Sequence, residues 1–187
     1  EMSASLVGSE MCIRDRYLGM SEHGPTSPGG PHNFFFSNYK VIPRIYDREE
    51  NTGRVIPKPD GSLRLLCGVE ANICSTNGEL DLEERYLQKM DYALASIHPF
   101  AFTAGSRKEN TLASVRAFQN PYVKILGHPD DGRFPLDYDE LVREARQAQA
   151  VLEVNNSSLN PQSARQGGRE NITELLKTCM KYGQPVI

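Results

Sequence analysis

Three of the four histidines in this 187-residue chain stand at one kind of place, the end of a short apolar run. Tyr17-Leu18-Gly19-Met20-Ser21-Glu22 runs into His23, Ala93-Leu94-Ala95-Ser96-Ile97 into His98, and Lys124-Ile125-Leu126-Gly127 into His128. A fourth run, Leu65-Leu66-Cys67-Gly68-Val69, ends in the carboxylate of Glu70. A proline follows each histidine closely, at Pro25, Pro99 and Pro129, and stops a strand there because its ring fixes φ and removes a donor. Imidazole nitrogens and a carboxylate gathered in one place suit zinc, manganese or iron, whereas calcium or magnesium would ask for oxygen almost throughout. Taken singly, each residue has an ordinary explanation: a strand-terminal histidine usually makes a structural hydrogen bond, and Glu70 reads as a solvated strand end. The same register on four successive runs favours a site.

Such residues meet only if the runs are parallel strands whose C-terminal ends share one face, as in a βα barrel. The chain alternates short apolar runs with helical patterns, which is the signature of βα units. Strands are expected at Tyr17 to Ser21, Leu63 to Val69, Tyr92 to Ile97, Val123 to Gly127, Val151 to Val154 and Pro185 to Ile187. Their near-continuous apolar character predicts burial on both faces. Helices are expected at Asp81 to Met90, Glu109 to Phe118, Asp137 to Ala148 and Asn171 to Tyr182, the last closed by Gly183. The stretch from Gly24 to Arg64, rich in Pro and Gly, reads as an insertion walling one side of the site, with Phe34-Phe35-Phe36 packing it down rather than touching substrate.

Composition removes several classes. A net charge of -3 with no basic stripe gives nucleic-acid binding no support. No apolar run approaches a bilayer span and no secretory leader is evident, so the cytoplasm is the expected location. Cys12, Cys67, Cys74 and Cys179 are scattered without a C-x-x-C pair, which argues against a thiolate zinc site and a disulfide framework. Residues 1–16 are expected to be foreign to the fold: Leu6 to Arg16 resembles, residue for residue, a translated sequencing-transposase adapter, so the domain would begin near Tyr17 and run to 187. Gln184-Pro185-Val186-Ile187 reads as the start of a further strand, so the C-terminus is expected to be cut as well.

From Tyr17 onward the motifs Ser-Glu-His-Gly-Pro (Ser21 to Pro25), Gly-Val-Glu-Ala-Asn (Gly68 to Asn72), Ser-Ile-His (Ser96 to His98), Gly-His-Pro (Gly127 to Pro129) and Glu-Val-Asn-Asn-Ser-Ser (Glu153 to Ser158) closely resemble the polymerase and histidinol phosphatase (PHP) superfamily, in particular its YcdX-type phosphatases. The resemblance implies an α/β fold, a distorted (β/α)7 TIM-like barrel, here incomplete for want of its first strand and most of its last. It implies a trinuclear zinc or manganese centre, with His23, Glu70, His98 and His128 among the ligands, and hydrolysis of a small phosphomonoester. The family's His-x-His motif does not precede Tyr17, and its Asp-x-His motif would follow the strand that begins at Val186. About half of the ligand set is therefore expected to be missing and the chain as given to be inactive.

Phosphate recognition calls for arginine, whose planar guanidinium pairs two oxygens at once, and Arg165 and Arg44 are the candidates. Asn155 ends a strand on the same face and is expected to support ligand or substrate, against the alternative of plain turn chemistry. Glu22 and His32 are expected in supporting positions, Glu22 by accepting a hydrogen bond from a ligand imidazole. The competing class is a metal-binding PHP module without catalysis, serving as an accessory or scaffolding domain. An amidohydrolase ranks last, because no lysine stands at a strand end to bridge metals.

Overall fold

A computed structural model describes residues 17–37 and 64–187. Residues 1–16 and Arg44 lie outside them, as does much of the expected insertion. Five strands, β1 (Tyr17–His23), β2 (Arg64–Asn72), β3 (Tyr92–Ser96), β4 (Val123–Leu126) and β5 (Val151–Leu152), form one sheet in the order β1-β2-β3-β4-β5, every pair parallel. Helices lie between successive strands, so the architecture is α/β and consistent with part of a barrel. Val186 bridges Leu152 in the same parallel sense, and Val154 N–H donates to the Ile187 carbonyl at 2.8 Å, so the final apolar residues extend the sheet beyond β5.

Alternation along the strands decides which face is packed. Cys67, Val69, Ala93, Ala95, Leu126 and Leu152 are buried. Three helices, α3 (Arg107–Ala117), α4 (Tyr138–Gln147) and α5 (Gly168–Tyr182), supply Ala113, Ala117, Leu141, Val142, Ala145, Leu175 and Cys179 to the larger of two core clusters. Leu66, Leu94, Ile125 and Val151 line a cavity of about 640 Å³ and are only half-buried. The expectation of strands buried equally on both faces is thus met on one face only. Tyr92 shares that cavity, and Gly19 and Gly68 make room for its ring, since a Cβ at either would strike it. Its hydroxyl pairs with Ser21 Oγ at 2.8 Å.

Helix ends follow their local chemistry. Asp137 accepts from Glu140 N–H and caps α4, whose buried Tyr138, Leu141, Val142 and Ala145 recur at helical spacing. Gly183 adopts φ 63° beyond α5, a left-handed conformation that glycine takes without penalty. The helix expected at Asp81 to Met90 shrinks to a single turn, α2 (Glu84–Leu87). Asp81 is committed elsewhere: its backbone N–H bonds the Asn72 carbonyl and its carboxylate takes three N–H donors, which fixes it outside a helix. A short helix, α1 (Asn33–Ser37), carries the aromatic run and buries Phe36 completely against Cys67, Val69, Leu82 and Tyr86, while Phe34 and Phe35 stay exposed. No helix among the described residues is long and apolar enough to cross a membrane.

Candidate metal centre

Parallel register is what brings the strand ends together. His23 pairs directly with Glu70, Asn72 pairs with Ser96 two residues before His98, and Gly127 N–H bonds the Ala95 carbonyl one residue before His128. Glu70 is the hub. Its Oε2 lies 3.3 Å from His23 Nδ1, and its Oε1 lies 3.1 Å from His128 Nε2 and 3.6 Å from His98 Nε2. The two Nε2 atoms are themselves 3.1 Å apart. His23, Glu70 and His98 form a group that could hold a metal ion, with ligand atoms all within 4.8 Å of one another.

Electrostatics leave two of these groups in ligating form at neutral pH. Burial pushes the Glu70 carboxyl up, but the hydrogen bond and charge of His128 outweigh it and bring the pKa down to about 2. For His98, burial is the largest influence and the neighbouring His128 adds to it, so its pKa falls to about 4 although Glu70 pulls the other way. At pH 7 Glu70 is an anion and His98 a neutral imidazole.

Supporting contacts fix His98 and His128. His98 Nδ1 meets Asn72 Oδ1 at 2.7 Å, and Phe100 stacks on the imidazole with centroids 5.0 Å apart and planes at 10°. His128 sits at φ 30°, a left-handed backbone value costly for a side chain with a Cβ, and its N–H donates to Glu153 Oε2 at 2.6 Å. Glu153 is held in turn by Asn155 Nδ2 at 3.1 Å. Asn155 thus holds Glu153, the carboxylate that bonds the His128 backbone, and its Oδ1 accepts from Ser157 N–H as in an ordinary asparagine turn. Arg165 Nη1 donates to Ser157 Oγ at 2.8 Å and Ser158 Oγ at 3.4 Å, and its charge is felt at His98.

Two expected supporting residues are placed differently. Glu22 accepts from the His23 backbone N–H at 3.3 Å rather than from an imidazole, because neighbouring strand residues point to opposite faces. His32 accepts from Phe34 N–H at 3.3 Å and stacks on the Phe34 ring, within its own loop. Asn72, Asp81 and Glu153 were not expected at the site. A signal for Asn72 exists in the sequence, since it lies two residues beyond Glu70 on a strand and so faces the same way.

Comparison with known proteins returns phosphatases. Over 173 residues the chain is 37% identical to a probable phosphatase of Clostridium novyi, covering 92% of this chain and 64% of that protein. A probable phosphatase of Clostridium acetobutylicum is 36% identical with the same coverages, and one of Acetivibrio thermocellus is 34% identical over 184 residues, or 98% of this chain and 67% of that protein. The chain thus spans 64% of the length of the two clostridial relatives. No family model matches. Among solved structures, a chain in the cryo-EM structure of archaeal ribonuclease P with mature tRNA superposes with a TM-score of 0.54 over 100% of this chain and 69% of its own length, and at 16% identity this likeness speaks for the fold alone.

Proposed function

The chain belongs to the family of these probable phosphatases, and on that footing we propose that it is the larger part of a metal-dependent phosphomonoester hydrolase of the PHP superfamily, built on a (β/α)7 barrel. The observation that carries the reading is the meeting of His23, His98 and His128 around Glu70 from four successive parallel strands. The donor set fits zinc or manganese, since three imidazoles and one carboxylate match their preference for mixed nitrogen and oxygen ligands. Such an ion would supply an acidified water and an electrophile for the phosphoryl oxygens. The chain's own residues prepare the site for it. Ionised Glu70 can only accept, so His128 Nε2–H donates to Glu70 Oε1 in the metal-free chain, and Glu70, His98 and His128 are the residues that would hold a cation here.

Arg165 is the proposed phosphate clamp. Both its bonds leave from Nη1, and among the described residues the other edge of the guanidinium makes no hydrogen bond, leaving it for two phosphate oxygens. Arg44 is proposed as a second contact. Four ligands are fewer than a trinuclear centre needs, so this chain alone is expected to turn over p-nitrophenyl phosphate poorly with zinc or manganese, and a version extended to the length of its relatives to turn it over well. Equal rates would overturn the expectation for the chain. An extended protein that binds metal without turnover would favour the accessory-module reading.

A further inference from the structure

We infer that Asn72, oriented by Asp81, is a positioning residue that holds His98 in the tautomer with its proton on Nδ1 and its lone pair on Nε2. This rests on the reading of His98 as a metal ligand but concerns the step before any ion binds. The chain of reasoning begins at Asp81, whose carboxylate receives Thr26 N–H at 3.0 Å, Asn72 backbone N–H at 2.8 Å and Asn72 Nδ2 at 2.6 Å. Surrounded by three donors, it acts as an acceptor. The Asn72 amide must therefore turn its NH2 toward Asp81, where Ser27 Oγ also receives it at 3.1 Å. Its carbonyl oxygen is then left facing His98 Nδ1 at 2.7 Å, and an oxygen can only accept, so the proton belongs on Nδ1.

A neutral imidazole with Nδ1 protonated has its lone pair on Nε2, the atom directed at Glu70 and His128. Asn72 is fully buried, so water does not offer an alternative acceptor on that side. Asp81 also reaches Thr26 in the loop that follows His23, and Gly24 leaves space for it, since a Cβ there would strike the carboxylate. One carboxylate thus ties the β1 loop to the end of β2 and, through Asn72, sets the electronic face that β3's histidine shows to the site.

Long-range 15N–1H correlation spectra of the imidazole nitrogens in the metal-free 187-residue chain test this directly, with zinc affinity measured separately by chelator competition. The inference predicts an Nδ1–H tautomer for His98 in the native chain, a shift toward Nε2–H in Asn72→Ala, and zinc binding weaker by about 10- to 100-fold in that variant. Asp81→Ala removes both oxygens that hold the Asn72 NH2 and Thr26 N–H, leaves room for water to take the backbone donors, and carries the test if Asn72→Ala fails to fold. The predicted result is again loss of the fixed Nδ1–H tautomer, although Asp81 does not touch His98. The swapped pair Asn72→Asp with Asp81→Asn restores an acceptor to His98 Nδ1 and is predicted to restore the tautomer. An unchanged Nδ1–H signal in Asp81→Ala, or a swapped pair that rescues nothing, would overturn the inference. A native chain with the predicted tautomer but no zinc affinity would instead overturn the metal reading.

Discussion

Glu70 and His98 both weaken the metal-free fold as the solution turns acid, in successive pH windows. His98 resists protonation down to about 4, whereas an unfolded chain takes up that proton near 6.5, so the unfolded state binds more protons between those values. Stability is therefore predicted to fall as pH drops from about 6.5 to about 4. Glu70, held at about 2 against an ordinary 4.5, extends the loss from about 4.5 down to about 2. Each limb should amount to something on the order of 1 to 3 kcal/mol. Urea midpoints at pH 7.5, 5.5 and 4 check this, and His98→Gln should flatten the upper limb while an unchanged slope would disprove the assignment. At this scale the sequence was informative about the clustered histidines, because strand period and a following proline mark His23, His98 and His128. It was silent on Asp81 and Glu153, which reach the site through hydrogen bonds whose partners are set by the fold. Glu22 bonds the His23 backbone N–H, because adjacent strand residues point to opposite faces.

Elements deliver these residues through backbone that tolerates no bulk. Gly127 precedes His128, and a Cβ on it would strike Ser96 Oγ and lie 3.5 Å from Glu70 Oε1. Gly127→Ala is predicted to cost about 1 to 3 kcal/mol through overpacking and to weaken zinc binding, because its methyl must push aside the Ser96 hydroxyl next to Glu70. Thermal melting together with zinc titration checks it, and a variant with native affinity would show that the Gly127 to Ser96 contact does not set the site. Helices α4 and α5 were legible from apolar periodicity and end residues to within a few positions. Helix α3 begins earlier than its apolar pattern suggests because a capping box, Ser106 Oγ with Glu109 N–H and Glu109 Oε2 with Ser106 N–H, starts it. It also buries a polar stripe in which Asn110 and Thr111 satisfy loop backbone and Ser114 bonds the helix's own Asn110 carbonyl, and so escapes a hydrophobicity reading.

For the whole molecule, five parallel strands in sequential order put every candidate ligand at one end of one sheet, which is the arrangement that strand-end motifs alone had suggested. The sheet's strand order was legible from the alternation of apolar runs and helical patterns, and the chain spans 64% of the length of the two clostridial relatives. Leu66, Leu94, Ile125 and Val151 line one cavity together with Glu153, Asn155 and Ser157, and Glu153 also bonds the His128 backbone. The account stands on the claim that His23, Glu70, His98 and His128 share a metal. Anomalous diffraction from crystals of this chain soaked in manganese measures that claim most directly. The predicted result is a peak bonded to Glu70 and to Nε2 of His98 or His128, absent when Glu70→Gln and His98→Gln are combined. A manganese peak that leaves all four residues untouched, or one that persists unchanged in the double variant, would contradict it.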